Sequence, residues 1–286
     1  MRRSKSPSMV SALLLTAGAL SPGLVSPVFS QDCQLSLVTP PTRELLNRPI
    51  RDMAYFDAGD GAGPLIYVCG SFTTSYPTGT SLPGIARVGP SGYEPVGSQS
   101  VVGAVTIEPF DDGSGPGLWV GQGLTTRRWS AANGWSEPLN VGGSILTLHA
   151  LDLGDGPALF AGTRGNGVFK LSNGEWQRLG SASGFTRVQA LTTFDPDGPG
   201  PTPTRLFAAG SISPLPVGVG TGSGTAMWDG ATWVTVPGSL HFGWTKSVLA
   251  FDDGTGPRLY WGTHGGSSLP VQACVSQWDG NQWTYA

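Results

Sequence analysis

Side chains able to do chemistry are few in this chain, and they are scattered. There are three histidines, His149, His241 and His264, and three cysteines, Cys33, Cys69 and Cys274. Three converging imidazoles would suit zinc, copper or iron. The three histidines show no ligand spacing along the chain, and no carboxylate stands beside them as a general base. His241 neighbours Phe242 and Trp244. A site of His241, Trp244 and His264 would stack a sugar or another planar ligand, with His149 a further ligand-binding candidate.

Acidic residues form the second constellation. Asp57-x-x-Asp60, Asp111-Asp112, Asp152-x-x-Asp155, Asp195-x-Asp197 and Asp252-Asp253 each lie in a turn rich in Gly and Pro. Carboxylates and carbonyls gathered in such a turn can hold calcium, and Asp57, Asp60, Asp195 and Asp197 are the candidates. None completes a D-x-[DN]-x-[DN]-G loop with a distal Glu, and Asp, Gly and Pro are also the ordinary residues of a hairpin turn. The expectation is no cofactor, with calcium as the alternative. The sequence holds no G-x-S-x-G elbow, no phosphate-binding glycine loop and no H-E-x-x-H.

The elements that must position these residues come from a repeat. From Phe251 to Trp283 the chain reads strand, Asp-Gly turn, aromatic strand ending in Gly262, Gly/Ser-rich loop, strand, Asp279-Gly280 turn, strand. Asp-Gly between strand-like runs signals a type I′ hairpin, because both central residues need positive φ. Other copies open at Phe56-Asp57, Phe110-Asp111, Leu151-Asp152 and Phe194-Asp195. They close around Asn133-Gly134, Asn173-Gly174 and Asp229-Gly230. Four strands recurring every 40–50 residues or so describe propeller blades. A twisted four-stranded sheet cannot bury both faces alone, and radial stacking covers each face with a neighbour. The recurrent tryptophans then pack between blades.

A second strand ending in Tyr/Trp-x-Gly, followed by W-D-G-x-x-W, resembles the repeats of kelch-like and related secreted bacterial β-propellers. The resemblance runs from about Ile50 to Ala286. It departs from kelch at the Gly-Gly pair after the second strand, which here reads Cys69-Gly70, Gly121-Gln122, Gly162-Thr163, Ala209-Gly210 and Gly262-Thr263. The resemblance implies a fold and leaves activity open, since propellers host binding modules and several enzyme classes.

The expected fold is therefore all-β, a β-propeller of five four-stranded antiparallel blades over 50–99, 100–143, 144–186, 187–245 and 246–286. Residues 1–30 read as a secretory signal: Arg2, Arg3 and Lys5 precede an apolar core from Met9 to Leu20, and Val28-Phe29-Ser30 is a cleavage site. Residues 31–49 form a lead-in, in which Thr42–Asn47 is the one amphipathic helical stretch. An exported chain permits disulfides. Cys33–Cys274 would staple a closed ring, Cys33–Cys69 is the alternative pairing, and no bridge at all remains open.

Charged residues make up 12% of the chain and the formal net charge is −3, a balance that argues against nucleic acid as a partner. No stretch after the signal could span a membrane. The connections between second and third strands are long in the first, fourth and fifth copies (71–83, 211–224 and 263–270). Loop insertions on one face read as a binding face. The expectation is a secreted, periplasmic or cell-surface monomer, a non-catalytic binding or scaffold protein for carbohydrate or a cell-surface protein. A glycan-cleaving hydrolase or lyase and a structural envelope component are the alternatives.

Overall fold

The structure, a computed structural model, describes residues 44–195, 197, 200–201, 203–213, 224–236, 244–264 and 275–285. These lie in one compact body, Pro40–Ala286. The lead-in contributes β1 (Leu45–Leu46). The first repeat unit then supplies β2 (Ile50–Asp57), β3 (Pro64–Gly70), a short β4 (Ser75–Tyr76) in its long loop, β5 (Ile85–Gly89) and β6 (Gly92–Pro95). The second unit has β7 (Thr106–Pro109), β8 (Leu118–Gln122), β9 (Thr125–Ser130), β10 (Gly134–Trp135) and β11 (Leu139–Asn140). The third has β12 (Ser144–Asp152), β13 (Pro157–Arg164), β14 (Val168–Ser172) and β15 (Glu175–Arg178). The fourth has β16 (Phe185–Phe194), β17 (Arg205–Ile212), β18 (Thr225–Trp228) and β19 (Trp233–Thr235). The fifth has β20 (Trp244–Asp252), β21 (Pro257–His264), β22 (Val275–Trp278) and β23 (Trp283–Tyr285). All pairings are antiparallel, and no described residue is helical.

The fold is thus all-β and propeller-like, but its sheets are unequal: two of four strands, one of five and one of eight, besides the β1–β4 pair. The eight-stranded sheet joins the third and fourth units through one pairing, Arg164 with Arg187. In the second unit the outer strand is split into β10 and β11, both paired to β9. Two residues at the break explain it. The Ser136 hydroxyl accepts the Arg128 amide at 2.9 Å in place of a strand carbonyl. Pro138, two residues on, has no N–H to offer the ladder. The helix expected over Thr42–Asn47 is corrected within its described part. Leu45 and Leu46 pair with Tyr76 and Ser75, and the Asn47 side chain bonds the amides of Thr73 and Thr74 and the Thr73 hydroxyl.

The repeat makes its interfaces with two alternating rows on the second strand. Leu118, Leu159, Leu206 and Leu259 face the preceding unit, while Tyr67, Trp119, Phe160 and Phe207 face the following one. Four clusters of buried side chains result, one at each junction between consecutive units. Full burial of one such leucine stabilises the fold by about 1.5–3 kcal/mol. Outer-strand tryptophans lock the junctions with hydrogen bonds to the preceding unit. The Trp135 Nε1–H donates to the Val96 carbonyl at 3.1 Å, that of Trp176 to the Thr126 hydroxyl at 2.9 Å, and that of Trp233 to the Leu179 carbonyl at 2.7 Å.

The first strands of neighbouring units lie side by side. Those of the first, third, fourth and fifth units carry a bulge at one repeat position, Arg51, Leu146, Gln189 and Lys246. Glycines near the end of the second strand lie where first strands approach closely. A Cβ at Gly210 would stand 1.9 Å from the Arg187 carbonyl oxygen, and one at Gly162 would stand 2.7–2.9 Å from Val188 and Thr147.

The closing turns differ from the type I′ expectation. Only Asn173-Gly174 carries positive φ at both central residues, 51° and 77°. At Asp229-Gly230 and Asp279-Gly280 the last paired residues are Trp228 with Trp233 and Trp278 with Trp283. Four residues therefore form each turn. The Asp carboxylate organises it, accepting the amides of Ala231 and Thr232, or of Asn281 and Gln282, at 2.7–2.9 Å.

Candidate functional site

Among the described residues, two places offer polar groups to a ligand. The first lies on the side-by-side first strands, where Asp52 of β2, Glu108 of β7 and His149 of β12 come together. The Asp52 carboxylate accepts the amides of Met53 at 2.8 Å and Ile107 at 3.0 Å. Glu108 accepts the Ala150 amide at 3.1 Å. Thr106 completes the series, its hydroxyl accepting the Leu148 amide at 3.2 Å. Each of these side chains satisfies an N–H on the first strand of the next unit.

His149 Nδ1 stands 3.9 Å from a Glu108 oxygen. Burial pushes the Glu108 carboxyl up to about 7, helped by the nearby Asp52 charge and opposed by the Ala150 amide. Burial pushes His149 down, against a smaller upward pull from Asp52. Burial thus favours the neutral form of both groups, and the carboxyl is mostly protonated below about pH 7. At 3.9 Å the two side chains stand close together without a hydrogen bond between them.

The second place is a shallow cavity between units, at the rim of the Asp turns. Between the second and third units a cavity of about 290 Å³ is lined by Phe110, Asp111, Asp112, Pro157, Ala158 and Asn173, among others. Between the fourth and fifth units a cavity of about 280 Å³ takes the equivalent positions, including Phe194, Asp195, Ala250, Phe251 and Pro257. Asp111 is held by the turn: its Oδ1 accepts the amides of Gly113 and Gly115 at 2.8 and 2.9 Å. Asp152 and Asp252 cap their own turns in the same way. The cavities thus combine an aromatic wall with a rim of oriented carboxylates.

The residues singled out in the sequence fall as follows. His149 is in the first-strand cluster. His241 lies outside the described residues. The ladder sets Trp244 directly opposite His264, at the far end of β20 from the Asp turn. Asp57 Oδ1 accepts the Gly59 amide, and Asp60 Oδ1 accepts that of Ala62. Asp60 also pairs with Arg87 at 2.6 Å. The Ala62 amide and then Arg87 hold its carboxyl below the usual range. Asp195 accepts the Asp197 amide at 3.3 Å. Among the described residues no three His, Cys, Asp or Glu side chains are grouped to hold a metal ion. Cys69 is an unpaired, wholly buried thiol, pushed up to about 12 by burial and then by Asp52. Cys69 packs into the first junction. Cys33 and Cys274 lie outside the described residues.

Of the long loops, 71–83 is the one fully described, and it is a built element. β4 pairs with β1. Glu44 accepts the Thr78 hydroxyl at 2.6 Å and the Tyr93 amide at 2.7 Å. Burial raises the Glu44 carboxyl, but hydrogen bonds from Ser75, Thr78 and Tyr93 outweigh it and leave the group lowered. Sequence reasoning missed Asp52, Glu108 and the inter-unit cavities. Asp52 and Glu108 stand out in sequence only as polar residues inside first strands, and nothing along the chain brings them together.

No protein-family model matches this chain, and no curated protein matches it. Solved structures do. The extracellular domain of BT4673, described as a one component system, from B. thetaiotaomicron superposes with a TM-score of 0.52 at 13% identity. The match covers 84% of this chain and 28% of that one. Kuenenia stuttgartiensis hydrazine synthase matches at 0.47 and 14% identity over 80% of this chain and 61% of that one. BBS1N in complex with ARL6DN matches at 0.46 and 12% identity over 75% and 62%. The first of these supports the propeller-like class and nothing narrower. No helix among the described residues is long and apolar enough to cross a membrane.

Proposed function

We propose that this chain is an exported, non-catalytic carbohydrate-binding module, a kelch-like propeller of five four-stranded blades released by cleavage of its first 30 residues. The observation that carries the reading is the pair of equivalent inter-blade cavities, each with phenylalanine in its wall and aspartate at its rim. Sugars offer an apolar ring face and a girdle of hydroxyls, and a shallow pocket with an aromatic wall and fixed acceptors answers both. The volumes fall just under the usual span of ligand sites, about 300–1,000 Å³, as suits one terminal sugar rather than a deep chain. Repetition of the site would raise avidity for a polymer. The ligand class expected from the sequence is kept, and the site moves from the long-loop face to the Asp-turn rim. The match to an extracellular domain is in keeping with export. No cofactor is needed.

Calorimetry against a panel of neutral and acidic oligosaccharides tests the proposal. Binding by the chain, weakened at least tenfold by Phe110→Ala together with Asp111→Asn, is the expected result. A chain that binds no glycan, or whose binding ignores both that double variant and Phe251→Ala with Asp195→Asn in the other cavity, would sink it.

One observation favours a second reading. Glu108, protonated up to about pH 7 beside neutral His149, has the form of a general acid. Release of reducing ends from a polysaccharide, abolished by Glu108→Gln, would turn the assignment toward a glycan-cleaving enzyme.

A further inference from the structure

The repeat leaves both ends of the stack uncovered. The aliphatic row that faces the preceding unit reads Ile66, Leu118, Leu159, Leu206, Leu259. The last four are 0% exposed, whereas Ile66 is 45% exposed. On the same outer face of the first unit stand Met53 at 63%, Tyr55 at 69% and Val88. Cross-strand pairing sets Tyr55, Ile66 and Val88 in one line. At the other end the fifth unit exposes the row that faces the following unit. Phe251 is 55% exposed where its equivalent Phe194 is 3%, and Leu249 is 59% exposed. Tyr260, the equivalent of buried Tyr67, Trp119, Phe160 and Phe207, packs edge-on to Phe251 with ring centres 6.3 Å apart. Among the described residues no buried cluster joins the fifth unit to the first.

These two patches are the two halves of one interface. Inside the chain that interface is made four times, always from a leucine-bearing face on an aromatic-bearing face. We propose that the exposed face of the first unit docks on the exposed face of the fifth unit of a second copy of this chain, head to tail. A second copy carries the missing half for each end, in the residue types the fold already packs. Apolar patches of this kind mark association surfaces. The contact is heterologous, so it closes a ring or extends a filament according to its rotation. Part of the first unit's face is already sealed: Leu46 and Tyr93 pack on the cluster of Val68, Phe72, Leu82 and Ala86. The docking area is therefore the inner portion around Met53, Tyr55 and Ile66. The docking face shares Phe251 with one of the two cavities proposed for sugar, whereas Tyr55 lies outside both, and the proposed assembly stands against the monomer expected from the sequence.

Light scattering on the full chain and on two charge variants tests it. The wild-type chain is expected to show at least twice the mass of the 29.6 kDa chain, in a concentration-dependent way. Tyr55→Glu and Phe251→Lys should each give monomer with unchanged circular dichroism, because both positions are on the surface of the single chain. Mixing the two variants should restore a dimer and nothing larger: each supplies the intact face that the other lacks. That complementation is specific to head-to-tail docking. A wild-type chain that stays monomeric overturns the proposal, in favour of closure within one chain or cover by residues 31–43. Variants that stay assembled singly, or a mixture that stays monomeric, overturn it as well.

Discussion

Ile66 and Leu159 occupy the same place, the third residue of the second strand in the first and third units. One is open to solvent and the other wholly buried. Their neighbours along the strand are alike too, with Tyr67 and Phe160 both turned to the following unit. The difference therefore lies in what stands across from them and not in the residues. A repeat specifies half of an interface on each face, and burial depends on whether a neighbour brings the other half. Stability in such a stack is a sum of unit and junction terms.

The sharpest way to break the comparison is to truncate both residues. Leu159→Ala removes a fully buried side chain between the second and third units and should cost about 2–5 kcal/mol. Ile66→Ala should cost less than about 1 kcal/mol in dilute solution, where its face has no partner. Urea melts of the two variants check this. Equal costs would mean that the first unit's outer face is covered in solution. If the cost of Ile66→Ala rises with protein concentration, the cover is another copy.

Much of this was legible in the sequence, and the reason is periodicity. The Phe-Asp or Leu-Asp openings and the aromatic second strands sit in equivalent structural places in each unit, and the W-D-G-x-x-W closings do so in the fourth and fifth. Asp57, Asp111, Asp152 and Asp252 all prove to be turn caps whose carboxylates accept backbone amides. The purpose of Gly162 and Gly210 was not legible. They leave room for residues of nearby first strands, and such close approach leaves no composition signal of its own. Nor was the Asp52–Glu108–His149 cluster, because it forms across three units separated by whole repeats. Spacing along the chain cannot report which first strands lie side by side.

Glycines sharpen the contrast between crowded and open positions. Gly210→Ala places a Cβ against the Arg187 carbonyl and should cost about 1–3 kcal/mol. The same change at Gly254, where φ is +93° but nothing lies within 4 Å, should cost only about 1 kcal/mol through backbone strain. Thermal melts would distinguish them, and a reversed order would remove crowding as the reason for glycine at Gly210.

The first strands show a second asymmetry along one repeat position, which reads Ala54, Glu108, His149, Thr192, Leu249. Only the middle of the series titrates. Glu108 is raised to about 7 from an ordinary 4.5, so between those values the folded chain keeps a proton that the unfolded chain gives up. Its contribution therefore favours folding most below pH 4.5 and declines as pH rises to 7. Glu108→Gln keeps an acceptor for the Ala150 amide and removes the decline. At pH 8 the variant should be more stable than the wild type by about 1–2 kcal/mol, allowing for the carboxyl's partial exposure. His149 works the other way. Its lowered value makes folding less favourable as pH falls through 6.5, so His149→Gln should flatten the acid side. Stability measured from pH 4 to 8 separates the two, and a wild-type curve that Glu108→Gln leaves unchanged would show the carboxyl to be well solvated.

The smallest effects belong to the closing turns, where two solutions to one problem stand in equivalent places. Asn173-Gly174 turns the third unit with two residues, both at positive φ, and Asn173 is the one described non-glycine residue in that region. Asp279-Gly280 turns the fifth unit with four residues, held by a carboxylate that accepts the Asn281 and Gln282 amides. A β-branched residue is strained in the first turn by its backbone angle, so Asn173→Val should cost about 1–2 kcal/mol. Asn173→Gly should shift stability by no more than about 0.5 kcal/mol, because glycine meets the same angle freely. At Asp279 the preference inverts. Asparagine retains the acceptor, whereas glycine frees the backbone but leaves two amides without their partner, so Asp279→Asn should be the milder change there. Melting temperatures of the four variants test the distinction. If glycine were tolerated equally at both places, the carboxylate would be incidental to the W-D-G-x-x-W turn, and its repetition would need another cause.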